Sequence, residues 1–170
     1  MRRAALIAIL SLVAASPPAS ASPTHTLEGT CTVSGQLTFQ PPLGNELRPT
    51  ALRDAASGTC TGTLDGVAVQ DAPVSVRANG GGDLSCLAGH TTTTGTITFA
   101  NGARIRFWTD TSGALTQFVS RWGGAVSGTG VAYVSFLAHA DQAALAACQA
   151  GTFRAARYDM VARTITPVAG

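Results

Sequence analysis

The chain has 170 residues and a formal net charge of +2, and all eleven of its basic residues are arginine. Two of them, Arg2 and Arg3, lie in an N-terminal segment that we expect to be removed, which leaves nine basic and nine acidic residues. This balance argues against nucleic acid and against an anionic membrane surface as partners, because both require a clear basic excess.

The N-terminus has the layout of a secretory signal peptide. Met1–Arg3 is a short basic start, Ala4–Ala15 is an apolar run, and Ala19–Ala21 is a small-residue cleavage site. The apolar run is shorter than the roughly 20 residues that a membrane-spanning helix needs. Cleavage after residue 21 of the 170 would leave 149, the size of one domain. We predict a signal peptide over residues 1–21, a single domain over 22–170 without a membrane span, and a secreted, extracellular location.

After the signal peptide, the sequence predicts an all-β domain. Short runs rich in Thr, Val, Ile and Phe are broken by Gly, Asn, Asp and Pro about every ten residues, a spacing typical of a sandwich or barrel. The predicted strands are His25–Val33, Gln36–Gln40, Gly58–Leu64, Val67–Gln70, Val74–Ala78, Gly82–Leu87, Thr92–Phe99, Ala103–Thr109, Ala114–Trp122, Val126–Leu137 and Thr152–Thr166. The predicted turns are Pro41–Gly44, Asp65–Gly66, Asn79–Gly81, Asn101–Gly102 and Thr111–Gly113. Pro73 cannot donate a ladder hydrogen bond, so it marks an edge, a bulge or a break.

The hairpin at Asn101–Gly102 allows one register to be argued in detail. A two-residue turn would mix polar and apolar side chains on both faces. A three-residue loop ending in a left-handed Gly102 places Ile97 opposite Ile105 and gathers the apolar side chains on one face. Because a buried face selects the register, we predict the three-residue loop.

The following hairpin extends the same face in our prediction. Thr109 would face Ala114, Ile105 would face Phe118, and Trp122 would continue the apolar row. The polar side of this sheet carries the candidate ligand-binding residues Arg104, Arg106, Trp108 and Arg121, with Gln117 beside them. Arginine beside tryptophan on a strand can bind a carboxylate, a sugar or a protein. The simpler interpretation is a set of solvated arginines with Trp108 partly packed.

The C-terminal part contains the one convincing helix, Asp141–Gln149. Asp141 can cap its start, the Ala-rich stretch has high helix propensity, and Gly151 follows its end. The alternation of apolar and charged residues in Phe153–Thr166 favours a strand over a helix. Small residues at every second position of Val126–Leu137 suit a curved strand or close approach by another backbone.

Four cysteines in an exported chain indicate disulfides, and three pairings are possible. Gly29–Thr32 and Gly58–Thr61 share the sequence Gly-Thr-Cys-Thr, which would bring two cysteines together on paired strands, although coincidence would also explain the match. We predict Cys31–Cys60 and Cys86–Cys148, the second pinning the helix to the sheet. There is no Cys-x-x-Cys motif for redox catalysis and no close ligand pair for zinc.

No motif in the chain indicates catalysis. The histidines His25, His90 and His139 are far apart, and Gly-x-Ser-x-Gly, His-Glu-x-x-His and phosphate-binding loops are missing from the sequence. The acidic residues are scattered singly, and Asn79–Asp83 has too few oxygens for a calcium loop, so we expect a flexible loop there. We predict no catalytic residue, no metal and no cofactor, and we lean against an enzyme.

Several segments of the chain resemble segments of a known protein family. Cys31–Leu43 reads Cys-Thr-x-x-Gly-x-Leu-Thr-Phe-x-Pro-Pro-Leu, and Gly58–Leu64, Gly95–Phe99 and Ala146–Cys148 continue the pattern over most of the mature chain. In these segments the chain resembles a family of small secreted actinobacterial β proteins with two disulfides. The resemblance implies an exported protein and brings no activity or site residues.

The predicted fold is an antiparallel meander barrel of about 8–10 strands with one short helix near the C-terminus, and a two-sheet sandwich is the alternative. The barrel is preferred because consecutive hairpins pair neighbours and closure removes exposed edges. For function, we expect a secreted non-enzymatic binding protein whose partner is an unknown small molecule, glycan or protein. The alternatives are a hydrolase assembled from scattered His, Asp and Ser, and a structural protein of the envelope. A pocket holding His90 or His139 beside an acid would favour the hydrolase, and one lined by apolar and Arg side chains would favour the binding protein.

Overall fold

A computed structural model describes residues 25–114, 117–124, 128–134 and 142–164, and in it eight strands form a closed antiparallel barrel. The strands are β1 (Leu27–Leu43), β2 (Arg48–Leu64), β3 (Val67–Leu84), β4 (Ala88–Phe99), β5 (Arg104–Ala114), β6 (Gln117–Gly124), β7 (Gly128–Val134) and β8 (Phe153–Thr164). Each strand pairs with the next, and β8 closes on β1. A short helix, α1 (Gln142–Gln149), precedes β8. Over the described residues, the predicted barrel with one short helix is confirmed, and the sandwich alternative is wrong.

Several predicted strands are parts of one longer strand. β1 joins His25–Val33 to Gln36–Gln40, and β3 continues through the segment Asn79–Asp83. A Cβ at Gly80 or Gly82 would collide with the backbone of β4, so these glycines permit close strand approach. The turn predicted at Asn79–Gly81 and the flexible loop predicted over Asn79–Asp83 are therefore wrong.

A bulge lies in β3 just before Pro73. The register against β2 shifts between Cys60 and Gly62, and Asp71 has a φ of 48°. The backbone N–H of Asp71 donates to Thr61 Oγ1 at 3.0 Å. Of the three roles considered for Pro73, the structure shows the bulge, where the hydrogen-bond ladder is already interrupted.

The register predicted for the β4–β5 hairpin is confirmed. The Phe99 N–H donates to the Ala103 carbonyl at 2.9 Å, and Ile97 faces Ile105. Gly102 has a φ of 89°, a backbone conformation that residues other than glycine rarely adopt.

The prediction for the β5–β6 hairpin is wrong. β5 continues to Ala114, so the predicted turn Thr111–Gly113 lies within a strand, and Thr109 faces Trp122. The physical reason is that Thr109 and Thr111 point inward, which removes the apolar alternation that marks a buried face. Trp122 nevertheless joins the inner row, with its ring centroid 5.0 Å from that of Phe107.

The C-terminal predictions hold over the described residues. Gly151 follows α1 with a φ of 67°, and β8 is a strand. β7 covers the described part of Val126–Leu137. The signal peptide, the capping residue Asp141 and His139 lie outside the described residues.

The two disulfides of the structure, Cys31–Cys60 and Cys86–Cys148, are the predicted pairs. Cys31 and Cys60 lie directly opposite each other on β1 and β2, with Cα atoms 4.1 Å apart, so the repeated Gly-Thr-Cys-Thr segments are paired strands. Disulfides of this kind are consistent with an oxidising, extracellular environment. We call the end of the barrel that contains Cys31–Cys60 the lower half, and the end that contains Cys86–Cys148 and α1 the upper half.

Candidate functional site

The upper half of the barrel contains a partly open cavity of about 120 Å³. Most of its wall is aliphatic and aromatic. The apolar side chains that border it include Leu37, Phe39, Leu52, Phe107, Phe118 and Trp122. An engineered apolar cavity of about 150 Å³ accepts benzene, so this cavity has the size for one small molecule.

One side of the cavity carries hydroxyl groups. We call the inward side chains of Thr91, Thr93, Thr109, Thr111 and Ser120, on β4, β5 and β6, the hydroxyl row. Thr93 Oγ1 lies 2.7 Å from Thr109 Oγ1, and Thr111 Oγ1 lies 2.6 Å from Ser120 Oγ. Each hydroxyl has one proton and two lone pairs, so this row satisfies its buried members and still offers acceptors to a ligand.

A carboxyl–phenol pair lies on the opposite side of the barrel. Tyr158 Oη on β8 donates to the two oxygens of Asp54 on β2, at 2.8 and 2.9 Å. β1 runs between these strands, and there Gly35 lies opposite Tyr158. A Cβ at Gly35 would collide with the Tyr158 ring and with Ala56. The glycine therefore allows the phenol to reach across a whole strand to Asp54.

Burial raises the pKa of Asp54 to about 6, although the Tyr158 hydrogen bond and the charge of Arg77 oppose the change. Burial and the Asp54 carboxylate raise the pKa of Tyr158 far above its usual value. At neutral pH Asp54 is therefore mostly ionised inside the cavity, and Tyr158 remains a hydrogen-bond donor.

The residues predicted to bind a ligand lie elsewhere. Arg104, Arg106, Trp108 and Arg121 are exposed on the outer face of β5 and β6, and none of them borders the cavity. The ring of Trp108 lies over Gly123, where a Cβ would collide with it, and the side chain remains 49% exposed. Trp108 is thus partly packed against its own sheet, as the simpler interpretation of this face expects.

The described histidines lie outside the cavity. His90 Nε2 is 2.9 Å from Asp110 Oδ1 on the exposed face of β4 and β5. His25 Nδ1 is 2.7 Å from Asp65 Oδ2 near the lower end, and the hydrogen bonds from His25 and Thr26 lower the pKa of Asp65. Among residues 25–114, 117–124, 128–134 and 142–164, no group of three His, Cys, Asp or Glu could hold a metal ion.

Sequence reasoning missed Asp54, Tyr158 and the hydroxyl row. Asp54 lies in the part of β2 before Gly58, which was not predicted as a strand. The alternation Thr50, Leu52, Asp54, Ala56 would have indicated an inward face there, with a carboxyl in an otherwise mostly apolar row. The hydroxyl row gives no such signal, because threonine is also common on exposed strand faces.

Comparison with protein-family models, with curated proteins and with solved structures finds no match for this chain. The resemblance to small secreted actinobacterial proteins therefore stays a prediction. Within the part of the chain that the structure describes, no helix has the length and apolar character needed to cross a membrane.

Proposed function

We propose that this protein is a secreted, non-enzymatic binding protein that holds one small, largely apolar molecule inside the upper half of the barrel. The observation that carries the proposal is the cavity of about 120 Å³, with an apolar wall and one row of hydroxyl groups. Ligand sites are commonly apolar with a few converging polar groups, which is the composition of this wall. The signal-peptide pattern and the two disulfides support export.

The rest of the barrel supports a preformed site. Every described strand is paired on both sides, and the inward side chains of the lower half close the barrel beneath the cavity, with Ile105 only 1% exposed. A rigid wall needs little ordering when a ligand enters, so more of the contact energy remains as affinity.

No observation in the described residues favours the hydrolase alternative. His90 and His25 each contact one aspartate, and both pairs are partly or largely solvent-exposed rather than lining the cavity. His139 lies outside the described residues. No feature of the described residues supports the structural envelope role over a binding protein either.

Benzyl alcohol tests the proposal, because it combines a benzene-sized apolar body with one hydroxyl. We expect saturable binding with a dissociation constant of about 1 mM or lower, measured by calorimetry. Ala156→Phe would fill the cavity from β8 and abolish binding. Val161→Phe is the matched control, because Val161 is on the same strand but faces outward and is 50% exposed.

A second measurement does not depend on the variant folding. Met160 borders the cavity and is the only methionine after the predicted signal peptide, so its labelled methyl group reports on this site. We expect nuclear Overhauser contacts between the Met160 methyl and benzyl alcohol. Absence of saturable binding, or binding without contacts to Met160, would overturn the proposal.

A further inference from the structure

We propose that the ligand of this cavity is a small organic cation, an amine on a short aromatic or aliphatic body, whose ammonium group pairs with Asp54. This inference rests on the proposed function, because it names the chemical class that the same cavity takes. Three features of the described cavity wall support it: its single charge, its aromatic lining and the lack of a cationic side chain beside the carboxylate.

The first feature is charge. Among the described residues that border the cavity, Asp54 is the only one with a formal charge, and the chain contains no lysine. A carboxylate has about four acceptor positions, and the Tyr158 hydroxyl supplies one proton to it. Acceptor capacity therefore remains for an ammonium group, which has only donors.

The second feature is the aromatic lining. Phe107, Phe118, Trp122 and Tyr158 border the same space as Asp54. Aromatic faces attract cations, most strongly when both are removed from water. The same rings pack against the apolar body of an amine, so the wall fits both parts of such a molecule.

The third feature is that, among the described residues, no cationic side chain borders the cavity beside Asp54. Its neighbours across the strand pairs are Leu37 on β1 and Ala78 on β3, both uncharged. The charged or titratable groups that act on it are Tyr158, which stays protonated, and Arg77, which is exposed on the outer face of β3. The raised pKa of Asp54, about 6, records the poor solvation of its charge, which a bound ammonium group would relieve.

A rival charge lies on the same strand at the upper end. Arg48 has Nε and Nη2 buried without a hydrogen-bond partner, which would suit an anionic ligand. However, Arg48 does not border the cavity, and it lies six positions before Asp54 on β2, roughly 20 Å along the strand. The observations therefore favour the cation, and an anionic probe serves as the alternative in the test.

Three probes of nearly equal size separate these possibilities: benzylamine, benzyl alcohol and benzoate, which are cationic, neutral and anionic at neutral pH. We expect wild-type protein to bind benzylamine about tenfold more tightly than benzyl alcohol, and benzoate least. Asp54→Asn should remove the preference for the amine, so that the ratio of the two affinities falls to about one. Asp159→Asn is the matched control, because Asp159 is the next residue after Tyr158 but faces outward, where it accepts a hydrogen bond from Ser34.

The number of protons released on binding tests whether Asp54 pairs with the ligand. An Asp54 with only a structural role would release no proton when the amine binds. At pH 6 about half of the Asp54 carboxyls are protonated, so binding of benzylamine should release about half a proton per molecule. Calorimetry in two buffers of different ionisation enthalpy measures this release. We expect none with benzyl alcohol and none in the Asp54→Asn variant.

The outcomes distinguish this inference from the proposed function. If benzyl alcohol binds as tightly as benzylamine, the cavity remains a binding site and the cationic ligand class is overturned. Tightest binding of benzoate overturns it too, in favour of an anionic ligand. If neither the amine nor the alcohol binds, the proposed function and this inference fall together.

Discussion

The two halves of the barrel share the same hydrogen-bonded wall but differ in what their inward side chains do. In the lower half, the Cys31–Cys60 disulfide and apolar side chains around Ile105 leave a space of only about 20 Å³. In the upper half, hydroxyls and Asp54 replace part of that apolar set, and about 120 Å³ stays empty. Eight strands give an interior that side chains can just fill, so the choice of inward residues decides between a core and a cavity.

The two halves should also differ in how much they contribute to the stability of the barrel. Close-packed interiors are sensitive to lost volume, whereas a wall that already borders empty space loses fewer contacts when it is trimmed. We therefore expect the lower half to carry most of the barrel's stability, and the upper half to tolerate changes that would unfold the lower half.

The largest expected effect is on the free energy of unfolding, and it should differ between the two halves. Ile105→Ala and Leu37→Ala remove isomeric side chains, but Ile105 is 1% exposed in the lower half and Leu37 is partly buried beside the cavity. We expect losses of about 4 and about 2 kcal/mol in the free energy of unfolding, measured by chemical denaturation. Equal losses would show that the upper half is packed as tightly as the lower half.

A smaller effect concerns the charge in the upper half. Because the folded-state pKa of Asp54 is about 6 and its ordinary value is 3.8, the folded protein binds more protons than the unfolded chain between these values. Stability from this group is full below the ordinary pKa and is lost as pH rises through the folded-state pKa. The loss is at most about 3 kcal/mol, and less where solvent reaches the carboxyl.

This pH effect is measured as the difference between wild type and Asp54→Asn. Denaturation at about pH 4 and about pH 7 should show that wild type loses stability relative to the variant as pH rises. Parallel pH profiles for the two proteins would mean that the Asp54 carboxyl is as well solvated in the barrel as in the unfolded chain.

The smallest effect is expected on the outer face. Arg104→Gln and Arg106→Gln change exposed side chains, so each should alter the unfolding free energy by less than about 0.5 kcal/mol. Neither should change the affinity for benzyl alcohol, because both residues lie outside the cavity wall. A weaker affinity in either variant would move the binding site to the outer face.

Local sequence patterns were sufficient to predict some elements of the structure and insufficient to predict others. The register at Gly102 and the pairing of Cys31 with Cys60 followed from short-range signals, a turn residue and a repeated segment. The register of the β5–β6 hairpin could not be predicted in this way. Thr109 and Thr111 point inward, but in the sequence they resemble a polar stretch rich in turn residues. Glycine also misled the prediction in β3, since it serves close strand approach as well as turns.

The sequence by itself determined the strand-rich class and the short helix, because alternation, turn residues and helix propensity are properties of neighbouring positions. It favoured the barrel over the sandwich and one disulfide pairing of three, and the tertiary structure decided both. Only the tertiary structure decided which inward side chains share a space. Asp54 and Tyr158 are 104 positions apart in the chain, and they meet because the registers of β1 with β2 and of β1 with β8 align them across Gly35. A shift of one residue in either pairing would turn one of them outward, so the site depends on registers that no local pattern contains.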